Sequence, residues 1–349
     1  MQSRKKEDYI CLTPFGYTEV FDDKQFLCCP GWLKEDVYET DNIKENFFSK
    51  KSNSIRDTIL DGTYKFCDSK QCPHLQQLKQ GKQIDGRFVP KTDEKIKQLK
   101  NHTLNMVNFC FDRSCNLQCP SCRSELINYL GNDRDSVEEK LRQVNEEIAP
   151  TIKKLYLSGS ADPFFSKSFR QFLVNFDPLK YPNLSLIHLH TNGILWTPQL
   201  WNKMYKIHPY VKRVEISIDA ATRHTYENVT RIGGDWNKLK ENLEFITNIN
   251  TIEHFIFSFV TQDTNFREIL DFITFIKSHK GLKNKSYSIF FNHITNWGTY
   301  TEEEYRKKDV SDVNHPNFHE FLDIIKLING QKNVTHNFTH LLDLNKSLI

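Results

Sequence analysis

The sequence predicts an α/β fold in which βα units surround a parallel sheet. From about residue 104, short β-branched and aromatic runs alternate with segments whose apolar residues recur at helical spacing. Residues 1–100 lack this alternation and contain turn-forming stretches such as CCPGW and ILDGTY. We therefore expect a large α/β core preceded by a separate, loop-rich unit.

Six strands are predicted in the core, at residues 104–111, 153–158, 184–190, 211–218, 254–260 and 286–293. Apolar residues at spacings of three and four predict helices between them, one of them capped by Asp135 or Ser136 and another over residues 266–276. A last helix is expected from Asn317 to Gly330. The predicted domains are residues 1–100, 101–300 and a helical extension over 301–349.

The composition is that of a globular chain. With 38% hydrophobic and 26% charged residues and a mean hydropathy of -0.59, the 349 residues suit neither a disordered chain nor a membrane bundle. Lys and Arg (47) nearly balance Asp and Glu (44), which gives no support for a nucleic-acid or anionic-membrane partner. Neither a secretory signal nor a membrane-spanning run is present, so we expect a cytoplasmic protein.

All nine cysteines precede residue 123. In a reducing compartment, clustered thiols more often bind metal or perform redox chemistry than form disulfides. Cys115, Cys119 and Cys122 follow the first core strand, and the segment RSELINYL after them is predicted to be a helix. Ligands bind at the carboxyl ends of parallel strands. Three thiolates are one fewer than an ordinary four-iron cluster takes, which leaves one iron open to another ligand.

A zinc site and a dithiol redox motif are the two competing interpretations of this loop. A zinc site normally takes four protein ligands, typically as two separated pairs. A dithiol redox motif at Cys119-Pro-Ser-Cys122 does not need Cys115. Both therefore account for the three-cysteine spacing less well than an iron-sulfur cluster does.

The Cys-x3-Cys-x2-Cys loop and the βα units that follow it resemble the radical SAM superfamily over roughly residues 104–300. The resemblance implies a partial (βα)6 TIM-like barrel with a [4Fe-4S] cluster on the three cysteines. It also implies that the open iron binds S-adenosylmethionine (SAM), whose reductive cleavage yields a 5′-deoxyadenosyl radical that abstracts hydrogen from a substrate. A reductant such as flavodoxin or ferredoxin is the implied electron donor.

The resemblance further implies which side chains contact SAM. The segment LSGSADP resembles the family's Gly-Gly-Glu-Pro stretch, and YENVTRIGG resembles the segment whose Arg neutralises the SAM carboxylate. The predicted SAM-binding set is Gly159, Ser160, Asp162, Asn192, Ser217, Asp219 and Arg231. Gln262 and Asn265 are further candidates, although Asn265 is equally suited to cap a helix. No side chain is predicted to be catalytic, because His188, His190 and His293 are equally well explained as core residues.

The N-terminal cysteines predict a second metal site. Their pattern resembles the SPASM module or its shorter twitch relative, a small loop-rich iron-sulfur module that usually follows the barrel but precedes it here. The predicted ligands of this auxiliary cluster are Cys11, Cys29, Cys67 and Cys72, with Cys28 as the alternative to Cys29. A structural zinc ion is the competing interpretation. Because apolar stripes are sparse here, we expect a metal centre to supply stability that a core does not.

The function implied by the resemblance is a radical SAM enzyme that modifies a peptide. A radical SAM dehydrogenase or epimerase of sugars or cyclitols is the alternative, since no residue distinguishes the two substrates. A zinc-stabilised binding protein without enzymatic activity is the second alternative. Cys110, within the first core strand, is expected to be a buried small hydrophobic residue rather than a ligand.

Overall fold

The structure, a computed structural model, describes residues 5–81, 86–157 and 160–342. The chain divides into two compact units. The first comprises Met1–Asp112, Leu130–Ser160 and Asp177–Ile187, and the second comprises Arg113–Tyr129, Ala161–Phe176 and His188–Ile349.

The described strands are β1 (Tyr9–Cys11), β2 (Tyr17–Val20), β3 (Gln25–Phe26), β4 (Phe88–Pro90), β5 (Met106–Phe109), β6 (Lys154–Leu157), β7 (Leu186–Thr191), β8 (Val211–Ser217), β9 (His254–Thr261), β10 (Ser286–His293) and β11 (Val334–His336). The six core strands predicted from the sequence are β5 to β10, each within two residues at either end. Their β-branched and aromatic residues suit a sheet that is covered on its faces.

The described helices are α1 (Ile43–Phe48), α2 (Lys50–Leu60), α3 (Pro73–Lys79), α4 (Asp93–Lys100), α5 (Asn132–Gln143), α6 (Lys167–Val174), α7 (Pro198–Lys203), α8 (Arg223–Thr225), α9 (Trp236–Thr247), α10 (Ile269–Lys277), α11 (Glu302–Lys308) and α12 (Phe318–Ile328). The apolar stripes of α10 and α12 are buried, as their spacing predicts. No helix in the described ranges is long and apolar enough to cross a membrane.

Both units contain parallel strand pairs, which confirms the predicted α/β class. In the first unit β2 pairs in parallel with β5 and β5 with β6, while β3 lies antiparallel to β2 and β1 pairs with β4. In the second unit β8, β9, β10 and β11 form successive parallel pairs, and β7 adjoins β8. Over the described residues, neither unit closes its strands into a barrel.

The helix predicted over residues 123–130 is wrong. This segment is not helical, and α5 begins only at Asn132, after Gly131 with a φ of 53°. The backbone N–H of Cys115 donates to the Ile127 carbonyl at 3.0 Å, and that of Tyr129 donates to Ser114 Oγ at 2.9 Å. The segment is therefore bonded to the cysteine loop instead of to itself. The expected helix cap at Asp135 or Ser136 is also wrong, because α5 begins at Asn132 with Gly131 at its N-cap, so that both residues lie inside the helix.

Residues 5–100 contain more regular structure than predicted. Helices α1 to α4 and strands β1 to β4 lie here, and their apolar side chains form a buried cluster that includes Ile10, Phe15, Ile59, Leu75 and Leu78. The expectation that this region lacks a core of its own is wrong. Its helices are only 6 to 11 residues long, too short for a periodic pattern to stand out in the sequence.

Candidate functional site

The three cysteines of the Cys-x3-Cys-x2-Cys motif lie in one loop of the second unit. The backbone N–H groups of Cys122 and Arg123 both donate to the Cys119 carbonyl, at 2.9 and 3.0 Å. This tight turn keeps the Cys119 and Cys122 thiols close enough for their charges to interact. All three cysteines are free thiols, with Cys119 buried and the other two half-buried.

Each of these thiols faces a nitrogen donor. Arg231 Nη1 lies 3.5 Å from Cys119 Sγ, and Arg123 Nη2 lies 3.5 Å from Cys122 Sγ. Asn192 Nδ2 lies 3.7 Å from Cys115 Sγ. Burial raises the pKa of Cys115 to about 12, whereas neighbouring cations favour the thiolate that a metal requires. The loop is therefore equipped to hold thiolates once a metal compensates for their burial.

Asp162 joins the segment after β6 to the turn after β7. Its carboxylate accepts hydrogen bonds from Thr191 Oγ1 at 2.7 Å and from the backbone N–H groups of Asn192 and Phe164, both at 2.9 Å. Burial raises the pKa of Asp162, and these donors counteract that effect. Asn192 in turn donates to Asn116 Oδ1 at 2.9 Å. Both predicted SAM contacts thus support the cysteine loop.

Asp219 and Arg231, which the sequence separates by a helix, form a buried ion pair. Asp219 lies two residues after the end of β8 and has a φ of 61°, in the left-handed region. Its Oδ2 lies 2.7 Å from Arg231 Nη2, and its Oδ1 accepts from the Val260 N–H at 2.8 Å. Within the described residues, Arg231 Nε and the Tyr226 hydroxyl are buried without a hydrogen-bond partner. These two donors are available to a bound ligand.

Among their described hydrogen bonds, the other predicted SAM contacts make none to the cysteine loop, and only Asn265 bonds to the ion pair of Asp219 and Arg231, at the Asp219 carbonyl. Ser217 Oγ lies 2.6 Å from His190 Nε2 and 3.0 Å from Ser258 Oγ. Asn265 Nδ2 donates to the carbonyls of Asp219 and Val260, so this side chain binds the strand ends and does not cap the helical turn Phe266–Glu268 that follows it. Ser160 belongs to the first unit, where its hydroxyl donates to the Cys110 carbonyl at 2.9 Å. Gly159 lies outside the described residues.

These features fit an iron-sulfur cluster with an anionic ligand. Three thiols with adjacent donors match the ligand number of an open cluster, and the free Nε of Arg231 suits a carboxylate. Over the described part of the chain, no three His, Cys, Asp or Glu side chains converge so as to hold a single metal ion. A cluster makes a different demand, because its thiolates bind separate iron atoms.

The N-terminal cysteines meet at a cavity of about 20 Å³ in the first unit. Its lining includes Cys11, Cys28, Cys67 and Cys72. Burial and then the charges of Cys11 and Cys72 raise the pKa of Cys67 to about 12, in keeping with thiols that lie close together. The structure thus places Cys28, and not the favoured Cys29, at this cavity. The Cys29 carbonyl accepts from the backbone N–H groups of Trp32 and Leu33, at 2.9 and 3.0 Å, which begins a turn.

Three side chains at the cysteine loop escaped the sequence-based prediction. Arg123, Asn116 and Tyr226 all contact or adjoin predicted site residues. Arg123 directly follows the last cysteine, so its proximity was detectable from the sequence. Tyr226 lies in the same YENVTRIGG segment as Arg231, but its unpartnered hydroxyl becomes apparent only in the folded chain.

No protein-family model matches the chain. Two curated relatives, the GTP 3′,8-cyclases of Clostridium perfringens strain SM101 / Type A and strain 13 / Type A, are each 32% identical over 162 residues. These residues make up 46% of this chain, and the match spans 47% of the length of each cyclase. The chain thus matches less than half of either relative.

Among solved structures, the chain is similar to native anSMEcpe with bound AdoMet, with a TM-score of 0.42 and 16% identity over 66% of this chain and 63% of that one. It is also similar to TYW1 with a lysine-pyruvate adduct bound, with a TM-score of 0.39 and 15% identity over 63% of this chain and 71% of that one.

Proposed function

We propose that the chain is a radical SAM enzyme, which cleaves SAM reductively and abstracts hydrogen from a substrate. The observation that carries the proposal is the three-cysteine loop in which every thiol faces a nitrogen donor, beside an arginine with an unused Nε. A bound [4Fe-4S] cluster with SAM supplies the 5′-deoxyadenosyl radical. A reductant such as flavodoxin or ferredoxin supplies the electron.

The protein's own residues have distinct roles in this proposal. Cys115, Cys119 and Cys122 hold the cluster, and Arg231 binds the SAM carboxylate through Nε. Asp219 keeps Arg231 in position through the 2.7 Å ion pair. Asp162 and Asn192 are positioning residues, because their polar atoms bind the loops that surround the cysteines. Burial of these groups excludes water, which protects a reactive radical from side reactions.

For the substrate we propose only a chemical class. A peptide is our first candidate from the sequence, and a sugar or cyclitol is the alternative. The curated relatives are named for GTP, so a nucleotide joins these candidates. Activity assays with each class, after SAM cleavage has been established, separate the three.

We also propose an auxiliary iron-sulfur cluster on Cys11, Cys28, Cys67 and Cys72. Its support is that these four thiols line one cavity of the first unit. Cys28→Ala should remove one of the four ligands and lower the metal content of this centre. Cys29→Ala should leave the metal content unchanged. Iron, zinc and sulfide analysis of the two purified variants measures this difference. An unchanged metal content in Cys28→Ala together with a loss in Cys29→Ala would return the ligand role to Cys29.

The test of the proposed function is anaerobic purification, iron and sulfide analysis, and reduction with dithionite in the presence of SAM. Formation of 5′-deoxyadenosine is expected. Replacing Cys115, Cys119 and Cys122 by Ala should abolish it and remove one cluster, whereas Cys110→Ala is the matched control outside the loop. Colourless protein with stoichiometric zinc and no 5′-deoxyadenosine contradicts the proposal. Retained cleavage in the triple variant shows that other thiols hold the cluster.

A further inference from the structure

A cavity of about 560 Å³ in the second unit is lined by five lysines. Its walls come from the segment that follows α10, from the start of β10 and from the turn that precedes β11. A volume of this size is in the range of small-molecule sites. None of the described residues that line it is Asp, Glu or Arg. The lysines of this lysine cavity are Lys277, Lys280, Lys283, Lys285 and Lys332.

The turn over residues 279–285, which carries three of these lysines, is held by buried contacts. The His279 side chain is buried, and its Nδ1 donates to the Phe275 carbonyl at 3.0 Å. A Cβ at Gly281 would approach the backbone carbonyl carbon of Thr247 to 2.8 Å, so this turn packs directly on the end of α9. The backbone that presents the lysines is therefore fixed.

The positive charge of the lysine cavity has no described counterpart. All of its lysines except Lys285 are exposed, and none of the five forms an ion pair with a residue in the described ranges. Lys285 donates from Nζ to the Ile249 carbonyl, which carries no full charge. The dipole of α10 favours a cation in its last turn, which accounts for Lys277 but not for the lysines beyond the helix. A cleft lined by charges of one sign concentrates their potential, so this cavity attracts an anion.

The lysine cavity is remote from the proposed SAM site. The strand register aligns Ser286, at the start of β10, with His254 of β9 and thereby with Arg213 of β8. Asp219 lies six residues beyond Arg213 along the chain, which is about 20 Å at roughly 3.3 Å per residue. The cavity therefore lies at the amino ends of the strands, whereas Asp219 follows a carboxyl end. A small ligand bound in the cavity does not reach the SAM site.

We propose that the lysine cavity binds a small molecule that carries a polyphosphate group. This site is additional to the proposed function and does not depend on it. Ammonium groups act as point charges that suit phosphate oxygens, whereas a planar carboxylate is matched best by the arginine fork that the lining lacks. Five positive charges also exceed the roughly two negative charges of a monophosphate at neutral pH.

Two sources of a polyphosphate group fit this cavity, a nucleoside triphosphate and inorganic polyphosphate. The half-buried ring of Tyr287 belongs to the lining, and an aromatic ring can stack on a nucleobase. Contact with a base would therefore add affinity for the nucleotide beyond that of its phosphates.

The test is calorimetric titration of the protein with inorganic triphosphate and, separately, with ATP at about 0.1 M salt, which screens charges more than about 10 Å apart. Wild type should bind. The double variant Lys280→Gln/Lys332→Gln removes one charge from each of two segments and should weaken binding by about ten-fold or more. The matched control is Lys203→Gln/Lys206→Gln, which changes the net charge equally at two exposed positions outside the cavity and should leave the affinity unchanged. Thermal melts verify that each variant is folded.

Tighter binding of ATP than of triphosphate assigns a nucleotide, and equal or weaker binding of ATP assigns inorganic polyphosphate. The inference is overturned if wild type binds neither probe, or if the two double variants bind with equal affinity. A short single-stranded RNA that binds more tightly than both probes also overturns it, because an extended nucleic-acid surface then explains the lysines. The titration needs neither reductant nor SAM, so its result is independent of the SAM-cleavage test.

Discussion

Cys119, Arg231 and Asp219 link three separate segments through charge. Burial raises the pKa of the Cys119 thiol, and the Arg231 guanidinium opposes that rise. Burial also disfavours charge on Arg231, but Asp219 and then Cys119 more than offset this effect and raise the Arg231 pKa. When Cys119 is a thiolate, the three groups alternate in sign. Arg231 is therefore held charged and in place before any cofactor arrives.

Removal of one partner of the buried ion pair between Asp219 and Arg231 should strongly destabilise the fold. Asp219→Asn keeps an oxygen for the Val260 N–H but removes the charge that faces Arg231. Because an unpaired buried cation is costly, we expect a loss of roughly 3 kcal/mol in the free energy of unfolding. Urea unfolding followed by circular dichroism measures it.

The matched control is an exposed arginine-carboxylate pair. Arg267 and Glu320 lie 2.6 Å apart with about half of each side chain exposed. Glu320→Gln should cost about 0–1 kcal/mol, since solvent screens the pair. Equal losses in Asp219→Asn and Glu320→Gln would show that burial does not distinguish the two pairs.

At the scale of elements, α9 fixes the turn after β7 that carries Asn192. The buried side chain of Asn242 donates from Nδ2 to the carbonyls of Gly193 and Ile194, at 2.9 and 2.6 Å. Gly193 has a φ of 80°, and a Cβ there would approach Leu239 Cδ1 to 3.2 Å. The turn thus depends on a glycine conformation and on a helix that follows it by some forty residues.

Asn242→Ala should loosen this turn. Two buried carbonyls lose their donor, so we expect a loss of about 1–3 kcal/mol in the free energy of unfolding. SAM should also bind more weakly, which equilibrium dialysis measures, because Asn192 belongs to the turn. The control is Asn248→Ala at the exposed end of the same helix, whose Nδ2 bonds the Glu244 carbonyl and whose loss should change stability little. Matching effects of the two variants contradict a special role for Asn242.

The elements were predictable to different degrees. Strands β5 to β10 carry long β-branched and aromatic runs, so their positions followed from composition along the chain. Strand β11, with only three residues, and strands β2 and β3 were missed because pairing with neighbours defines them. Residues 123–130 have good local helix formers, but their hydrogen bonds to the cysteine loop override that propensity.

At the scale of the whole molecule, His188 makes stability depend on pH. Burial, followed by the charges of His190, Arg213 and His254, lowers the pKa of His188 to about 3. An unfolded histidine has a pKa of about 6.5. Between these values the unfolded chain binds a proton that the folded chain does not. The free energy of unfolding is therefore unaffected by His188 above about pH 6.5 and decreases as the pH falls from there toward 3.

Replacing His188 by Gln should remove this part of the pH dependence. From pH 7 to pH 5 the wild type should lose about 2 kcal/mol more than His188→Gln, since pH 5 is about 1.5 units below the unfolded pKa. Urea titrations at the two pH values measure the difference. His319→Gln, at an exposed position, should retain the wild-type dependence. A His188→Gln variant with the full wild-type slope contradicts the assignment.

The sequence by itself determined the order of the βα units and the loop of Cys115, Cys119 and Cys122, because both depend on residues that are close along the chain. Only the tertiary structure decided that Asp219 pairs with Arg231, that Cys28 instead of Cys29 faces the N-terminal cavity, and that Arg213 lies beside His254. The physical reason is that charge pairing, burial and strand register depend on which distant segments meet. A motif records spacing along the chain, whereas folding sets the partners of each side chain.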